Sequence, residues 1–554
     1  MAFLNSLAKF AQRRRSETVG LSTWRPLNQP LFRALWVASL SSNIGTWMHE
    51  AGATWLMTSL TPSPVMVALM QTATTLPIFF LALPAGALAD GVDRRRLLMV
   101  TQTLMFIAAA TLGLVAVADA LTPWLLLLLT FALGAGAAMN APAWQATVPE
   151  LVPSGELPSA VALTGMGLNL ARAVGPALGG IIVALVGAWA VFFLNAVSFL
   201  SVIAVLYGWR RPQPEQRMAS EPVLSAIRAG IRYARHAPAL GAVLIRTCLF
   251  VPFASALWAL LPVLARHEMG LDSVRYGILF GCLGAGAVGG AILLPEMAGR
   301  FSKDSLAAGA TVAFAAVTIA LAELRHFAWL CVVLVAGGAA WITLMASFNI
   351  ATQTAAPSWV KARALALYLL IFQGAMATGS AVWGAVTERA GISVALWCAA
   401  GGLLLGLAAI RRYPLRIIEE LDLAPSAHWP APILAVKPDP QDGPVLVTVE
   451  YRIDPQQSRD FTVAMQPVRQ QRLRDGALRS GLYSDPADPS RYVETFVVES
   501  WAEHLRQHQR VTVNDRVAEE RARAFHIGEA PPATSHYIYA HGSENSKGTN
   551  GAEP

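Results

Sequence analysis

Charged side chains are scarce in this sequence. Of its 554 residues, 14% are Asp, Glu, Lys or Arg, whereas 55% are hydrophobic. A soluble domain carries about 25% charged residues, and a mean hydropathy of +0.47 is too high for a chain whose surface faces water. The scarcity of charge therefore excludes a soluble protein and predicts a chain that crosses a membrane several times.

Cysteines and nucleotide-binding motifs are also few. The four cysteines fall inside apolar runs without metal-ligand spacing, so we expect them to be reduced, buried and structural, and we expect no metal site. They are Cys248, Cys282, Cys331 and Cys398. No segment has the Gly-x-x-x-x-Gly-Lys-Ser/Thr pattern that cradles nucleotide phosphates. We therefore expect no cofactor, and we interpret the net charge of +7 as a topology signal rather than as a sign of a nucleic-acid partner.

Long apolar runs, in contrast, are abundant. About 20 apolar residues cross a bilayer as a helix, because every backbone group in lipid must be bonded internally. Twelve runs reach about that length, which predicts twelve transmembrane helices. They lie at 32–60, 63–88, 96–118, 123–146, 158–186, 188–209, 240–265, 273–297, 305–324, 327–351, 363–387 and 392–411.

Basic clusters indicate the orientation. Arginines precede the first run and follow the second, sixth and twelfth, and Lys361 and Arg363 lie between the tenth and eleventh. These clusters share one side of an even-numbered topology. By the positive-inside rule, both termini are expected in the cytoplasm, and residues 1–29 are expected to form a cytoplasmic arm without a cleavable signal.

A weak internal repeat divides the apolar region. QATVPELVPSGELPSAVAL follows the fourth run and QTAAPSWVKARALAL follows the tenth. The offset of six runs predicts two six-helix halves, at 30–209 and 240–412, with a site where they meet near the midplane. Residues 210–239, with the amphipathic piece VLSAIRAGIRYARH, are expected to form an interfacial connector.

The composition changes after the last run. Residues 413–442 are rich in Pro and are predicted to be a linker. Residues 443–541 show the order β-α-β-β-α-β, with one helix over WAEHLRQHQRVTVNDRVAEERARAFH, which predicts a ferredoxin-like α+β domain. Residues 542–554 are expected to be a disordered tail.

Two motifs carry a resemblance to a known family. The turn GALADGVDRRR between the second and third runs resembles the gating loop of the major facilitator superfamily, with matches at Gly86, Asp90, Arg94 and Arg95. The fifth run has a Gly-Pro-x-x-Gly-Gly motif that is typical of its exporters, at Gly175, Pro176, Gly179 and Gly180. The stretch NAPAWQATVPELVP through FFLNAVSFL resembles the enterobactin-exporter branch. The tail resembles antibiotic-biosynthesis-monooxygenase-like domains.

The resemblance implies a fold and a mechanism. It implies twelve helices that alternate access to a small-molecule substrate across a bacterial cytoplasmic membrane. Asp90 would then be a latch that faces the start of the eleventh span, and the glycine motif would pack the fifth span against the eighth. Gly91 and Asp93 depart from the family pattern, and the arginine that proton-coupled members carry in the fourth span has no counterpart here.

Glu50 is the main candidate for a transport site. It lies in the first run on a helical stripe with Trp36, Asn43, Trp47 and Thr54. A charge within a membrane costs roughly 2.5–3.5 kcal/mol on insertion scales, so such residues face a cavity or a partner. Arg172 in the fifth run, one turn from Asn169, is the natural partner. The alternatives are a static ion pair or a Glu50 nearer the outer interface.

Other polar and aromatic residues admit two interpretations. Asn140 and Asn349 occupy matching places in the two halves and either line the cavity or cap helices. Trp47, Trp55, Trp144 and Phe253 either stack on an aromatic substrate or, as is commoner, pack between helices. In the tail, a solvated surface is a better interpretation than a metal or haem site for His504, His508, Glu494 and Glu499.

Two functions remain open from the sequence. The first is a secondary exporter of a siderophore or drug-like molecule, driven by a proton or another ion, with dimerisation through the tail domain. The second is a membrane-anchored enzyme or ligand-binding protein that acts through the tail. Twelve spans exceed what an anchor needs, so the sequence favours the exporter.

Overall fold

The computed structural model describes residues 24–209, 223–415, 422–426, 428–429, 434 and 438–540, without the side chains of residues 83, 86–87, 89–91, 154 and 223–227. The N-terminal arm before residue 24 and the tail after residue 540 lie outside this range. The chain forms two compact units. One holds residues 1–221, 243–350 and 366–416, and the other holds 222–242, 351–365 and 417–554.

Twelve long helices dominate the part of the chain that the structure describes. Those before the connector are α1 Pro30–Leu60, α2 Pro64–Gly91, α3 Arg94–Val117, α4 Pro123–Leu151, α5 Leu157–Leu185 and α6 Ala188–Gly208. The connector contains α7 Val223–His236. The helices after it are α8 Pro238–Val263, α9 Ser273–Arg300, α10 Lys303–Glu323, α11 Phe327–Thr354, α12 Lys361–Ala390 and α13 Ile392–Gly406, with a short turn at Ala409–Arg412.

Among the described residues, eleven helices are long and apolar enough to cross a membrane, and the predicted helical membrane fold is confirmed. The remaining long helix, α1, spans 31 residues but interrupts its apolar sequence with Arg33, Asn43, His49 and Glu50. Its burial therefore depends on the helices around it, and it packs mainly on α5 and α6.

The two halves repeat one helix-start geometry. α6 begins after Gly187 and α13 begins after Gly391, and these two glycines have φ angles of +113° and +85°. An L-side chain rarely adopts such angles, so glycine is required for the sharp entry into each helix. The offset matches the six-helix repeat in the sequence.

The tail contains an antiparallel sheet. Its strands are β1 Val445–Arg452, β2 Ala477–Ser484, β3 Arg491–Val498 and β4 Ala533–Ile538, in the order β2-β3-β1-β4. The register pairs Val445 with Val498 and with Ile538. The helices are α14 Ser458–Asp475, α15 Trp501–Arg510 and α16 Val513–Arg523. This strand order is that of a ferredoxin-like domain, as the sequence predicts.

Alternation along the strands builds the core of the tail domain. Val445, Val447, Phe496 and Val498 lie on one face and pack with Trp501 of α15. A second cluster joins Tyr451 and Ile453 to Phe461, Met465 and Val468 of α14. The helices therefore cover one face of the sheet.

Some local predictions were wrong. The stretch predicted as one helix is two, because Thr512 and Asp515 form a reciprocal cap that starts α16. The described part of the predicted linker lies against the domain, with Pro425 bridged to Thr512. All four cysteines are free, as expected, but Cys248 and Cys398 are exposed rather than buried.

Candidate functional site

The predicted stripe on α1 runs along α5. The Trp36 indole Nε1 donates a hydrogen bond to the Leu163 carbonyl oxygen at 3.0 Å. Asn43 lies half-buried against a cavity of about 20 Å³ between α1, α4 and α5, whose lining includes Trp144 and Gly167. The spacing of the stripe thus places its polar members on a helix interface rather than on a lipid-facing surface.

Arg172 contacts the stripe through an aromatic ring. Its guanidinium carbon lies 5.1 Å from the centre of the Trp47 ring, a cation–π distance. Gly175, one turn further along α5, makes room for this contact, since an added Cβ would lie 2.6 Å from the Trp47 Cβ. The Arg172 Nε is buried, and no described residue is within hydrogen-bond reach of it.

Glu50 lies near Arg172, its predicted partner. Among the described residues, no ion pair within 4.0 Å is formed between the two side chains, and their pairing as a transport site stays a prediction. Each still acts on the other electrostatically, and Glu50 also acts on Tyr276 of α9. Glu50 therefore sits among three helices, α1, α5 and α9, close to the place where the halves meet.

Two residues beside Glu50 were not predicted from the sequence. His49 is buried against Phe192, with ring centres 4.7 Å apart, and neither of its ring nitrogens has a hydrogen-bond partner. Tyr276 stacks on Trp55 at 5.2 Å. The adjacent titratable pair His49–Glu50 was a signal for the first, whereas nothing in the sequence marks Tyr276.

The glycine motif of α5 serves two interfaces. An added Cβ at Gly179 would lie 2.8 Å from the Met48 carbonyl oxygen, so Gly175 and Gly179 both face α1. Gly180 faces α9, where a Cβ would meet the Ser273 carbonyl oxygen and lie 3.0 Å from the Gly277 Cα. The expectation that the whole motif packs on the eighth span, α9, holds for Gly180, while Pro176 is buried beside Gly277.

The halves also meet along α2 and α12. The Thr72 hydroxyl donates to the Ala377 carbonyl oxygen at 2.8 Å, and the Ser63 hydroxyl donates to Glu388 at 3.0 Å. His267 lies 3.3 Å from the Thr58 carbonyl oxygen. Together with the Gly180 contact, these interactions close the end of the bundle opposite the arginine turn at residues 94–96.

The described arginines of the gating turn bind within the first half. Arg94 donates to the Glu150 carboxylate at 2.6 Å and to the Ala146 carbonyl oxygen at 3.0 Å. Arg95 donates to the Leu206 and Tyr207 carbonyl oxygens, both at 2.7 Å. These bonds join α3 to α4 and α6. Gly86 lies in the backbone of α2, and the side chain of Asp90, the predicted latch, is outside the described part of the structure.

The asparagines and aromatic residues predicted as cavity candidates differ in their surroundings. Some pack between helices, and others are partly exposed. Asn140 accepts from Thr101 at 3.2 Å and Gln102 at 3.3 Å, which ties α4 to α3. Asn169 and Asn349 are half-buried. Phe253 packs on Trp383, and the ring of Trp55 lies under Arg266 at 5.0 Å. Trp55 and Phe253 therefore pack between helices.

The tail domain buries a network of charges. Arg472 donates to Glu494 at 2.8 Å and to Glu519 at 2.6 Å. Burial alone would raise the pKa of Glu519, but Arg472 and hydrogen bonds from His428 and Trp429 lower that pKa to about 2. Glu519 therefore remains charged near neutral pH, and Arg472 is paired with both glutamates.

Histidines form a second buried group in the tail. His504 is 1% exposed and its Nε2 lies 3.4 Å from that of His508. Burial, followed by His508 and His536, lowers the pKa of His504 to about 3. The solvated-surface interpretation is therefore wrong for His504 and Glu494, although Glu499 is exposed. Among the described residues, no group of three or more candidate ligands could hold a metal.

Comparison with known proteins identifies the family. A family model described as "Transmembrane secretion effector" matches residues 21–544, which include the tail domain. The chain belongs to this family of major facilitator transporters. The multidrug efflux pump Tap of Mycobacterium tuberculosis is 29% identical over 424 residues, covering 73% of this chain and 97% of Tap. The enterobactin exporter EntS of Salmonella typhi is 28% identical over 274 residues, covering 49% of this chain and 64% of EntS.

A solved structure agrees on the fold. A POT family transporter in complex with 5-aminolevulinic acid superposes with a TM-score of 0.57 at 11% identity, covering 70% of this chain and 96% of that one. The family assignment, rather than this superposition, makes the chain a multi-pass membrane transporter, and the membrane-anchored-enzyme alternative is set aside.

Proposed function

We propose that this transporter is a secondary active exporter, which moves a siderophore or drug-like molecule out of a bacterial cytoplasm by alternating access in exchange for protons. The names of the efflux relatives Tap and EntS support export. The sequence has no P-loop motif that would bind ATP phosphates, which favours an ion gradient as the energy source.

The observation that carries the proposal is the arrangement of Glu50, Arg172 and Trp47. Glu50 and Arg172, of opposite formal charge, form no ion pair within 4.0 Å in the part of the chain that the structure describes, where the buried Arg172 Nε also has no hydrogen-bond partner. Ionisable residues in such places mark substrate paths and proton relays. We infer that an acceptor group of the substrate binds Arg172 beside Trp47 while a donor group binds the deprotonated Glu50. A proton on Glu50 then releases the substrate, so that substrate and proton bind alternately, as exchange requires.

The closed end of the bundle supports a direction. Contacts at Thr58, Ser63 and Gly180 shut the end opposite the arginine turn. With both termini in the cytoplasm of a bacterium, as the basic clusters favour, these contacts would lie on the outer side of the inner membrane, which supports an inward-facing arrangement. Asp90 stays a predicted gate residue, and Asn43, Asn169 and Asn349 stay predicted cavity residues.

Replacing Glu50 tests the coupling. In inside-out vesicles with an imposed proton gradient, we expect Glu50→Gln to lower gradient-driven uptake at least tenfold and to flatten its dependence on pH. Glu323→Gln is the matched control, because Glu323 is an exposed carboxylate at the end of α10 that accepts from Trp397 at 2.8 Å. Unchanged uptake and pH dependence in Glu50→Gln would remove Glu50 from the mechanism.

We also propose that the tail domain dimerises through the sheet face away from the helices. Leu446 and Val497 point to that face half-buried, and Tyr537 is 56% exposed. A pair of such faces would bury this apolar surface. Leu446→Arg should shift the detergent-solubilised chain from dimer to monomer in light scattering, whereas a wild-type monomer would refute the proposal.

A further inference from the structure

The second compact unit joins the tail domain to two segments that lie between membrane helices. These are the connector helix α7 and the loop from Ala355 to Val360 that links α11 to α12. The first turn of α12, up to residue 365, belongs to the same unit. The tail therefore holds pieces of chain that lead directly into α8 and α12.

Four side chains form a row in which two aromatic rings lie between two arginines. Arg510 of the tail lies over the Trp359 ring at 4.4 Å, and Trp359 meets Tyr233 of α7 edge-on at 5.7 Å and 87°. Arg474 of the tail lies over the other ring, at 5.7 Å from Tyr233. Contacts of a cation with a ring face, and of one ring edge with another ring face, are both attractive. Trp359 of the loop and Tyr233 of α7 thus lie between two arginines of the tail.

Polar bonds fix the same segments. The Tyr233 hydroxyl donates to the Ala355 carbonyl oxygen at 3.0 Å, and Tyr233 is 2% exposed. Arg232 pairs with Glu503 at 3.1 Å, and Glu503 is also held by Arg510 at 2.6 Å. Arg474 is anchored to Asp475 and Asp515. The contact of the tail with α7 and the loop therefore depends on charged side chains that other residues of the tail domain hold in place.

The same contacts contain two unsatisfied donors. The Nε1 of Trp359 and the Nε of Arg232 are buried, and neither has a hydrogen-bond partner among the described residues. A buried donor left unpaired is unfavourable, and water that reaches it removes the penalty. Opening of the contact would therefore relieve a penalty that the closed contact carries.

We propose that the tail domain is a releasable clamp, which slows transport by holding α7 and the α11–α12 loop together. This inference rests on the proposed exporter function. When the clamp is closed, the first turn of α12 is fixed to α7, and α12 is one of the two helices that join the halves at Thr72 and Ala377. Release of this row of side chains frees the start of α12 to move.

Opposite substitutions at Trp359 test the clamp. Trp359→Ala removes the ring between Arg510 and Tyr233, so we expect turnover in proteoliposomes to rise at least threefold with unchanged KM. Trp359→Phe keeps a ring and removes the unpaired Nε1, so turnover should be no higher than in the wild type. Arg516→Ala is the control, because Arg516 pairs only with Glu520 on the exposed side of α16 in the described structure.

A disulfide tests the closed state directly. A Cβ at Gly230 of α7 would lie 3.1 Å from the Arg363 Cβ of α12, near the 3.5–4.5 Å of disulfides. In a chain with its four native cysteines replaced, oxidised Gly230→Cys/Arg363→Cys should lose at least nine-tenths of transport and regain it on reduction. Failure to form the disulfide, or transport that oxidation does not change, would overturn the clamp.

Hydrogen exchange separates this idea from the exporter proposal. Trp359→Ala should speed exchange of amides in residues 354–361 by at least tenfold, whether or not a transported substrate is known. Unchanged exchange there would refute the clamp. If the wild-type chain transports no substrate but Trp359→Ala still speeds this exchange, the exporter proposal is refuted and the contact is supported.

Discussion

Gly180→Ala is the sharpest perturbation of the interface between the halves. The added Cβ would press on the Ser273 carbonyl oxygen and lie 3.0 Å from the Gly277 Cα. Both neighbours are backbone and cannot rotate away, so α5 and α9 must separate. Overpacking of this kind costs about 1–3 kcal/mol, which would shift the ratio of closed to open arrangements roughly 5- to 150-fold.

The assay is hydrogen exchange by mass spectrometry on residues 273–284, together with thermal unfolding in detergent. Gly180→Ala should exchange faster there and melt at a lower temperature. Gly165→Ala is the matched control on the same helix, because a Cβ at Gly165 would meet nothing within 4 Å. It should gain about 0.5–1 kcal/mol of helix stability. If Gly180→Ala behaves like Gly165→Ala, the close approach of α5 and α9 does not control the closed end.

Three further predictions follow from named contacts. Arg472→Ala leaves Glu494 and Glu519 buried without this partner. The free energy of unfolding of the tail domain, measured in urea, should therefore fall by about 3–5 kcal/mol. Arg516→Ala should change that free energy by less than about 0.5 kcal/mol. Burial lowers the pKa of His504 to about 3 in the folded state. Below about pH 6.5 the unfolded chain therefore binds more protons than the folded chain. The contribution of His504 to stability is full above that pH and falls as the pH drops towards 3. His504→Gln should flatten that melting profile, and His326→Gln, on an exposed loop, should not. Thr72→Val removes the bond to Ala377 and should weaken the α2–α12 contact by about 0.5–1.5 kcal/mol. Amides in residues 64–72 should then exchange faster. Thr103→Val loses only a bond within α3 and should leave that exchange unchanged.

Periodicity predicted much of the fold. Apolar runs of sufficient length gave the membrane helices, and alternation in VLVTVEYRI gave β1, because both signals arise from local burial. The break between α15 and α16 was missed, although Thr512 and Asp515 have the spacing of a capping box. In a charged helical stretch, periodicity alone does not indicate where one helix ends and the next begins, and only the capping residues mark the break.

Contacts between distant elements could not be predicted in the same way. The α1 stripe indicated that Trp47 and Glu50 share a face, but not that Arg172 would stack on the ring instead of pairing with the carboxylate. The burial of Glu494 depends on Arg472 from another element. Charged residues in a short window resemble a solvated surface until the fold supplies their partners.

The low hydropathy of α1 has a consequence for biogenesis. As the first span to leave the ribosome, α1 reaches the bilayer before α5 has been made, while Asn43, His49 and Glu50 still lack the helix that will cover them. Each ionised group at the helix centre opposes insertion by roughly 2.5–3.5 kcal/mol. We therefore expect α1 to be stable in the bilayer only once later helices, α5 and α6 above all, lie beside it.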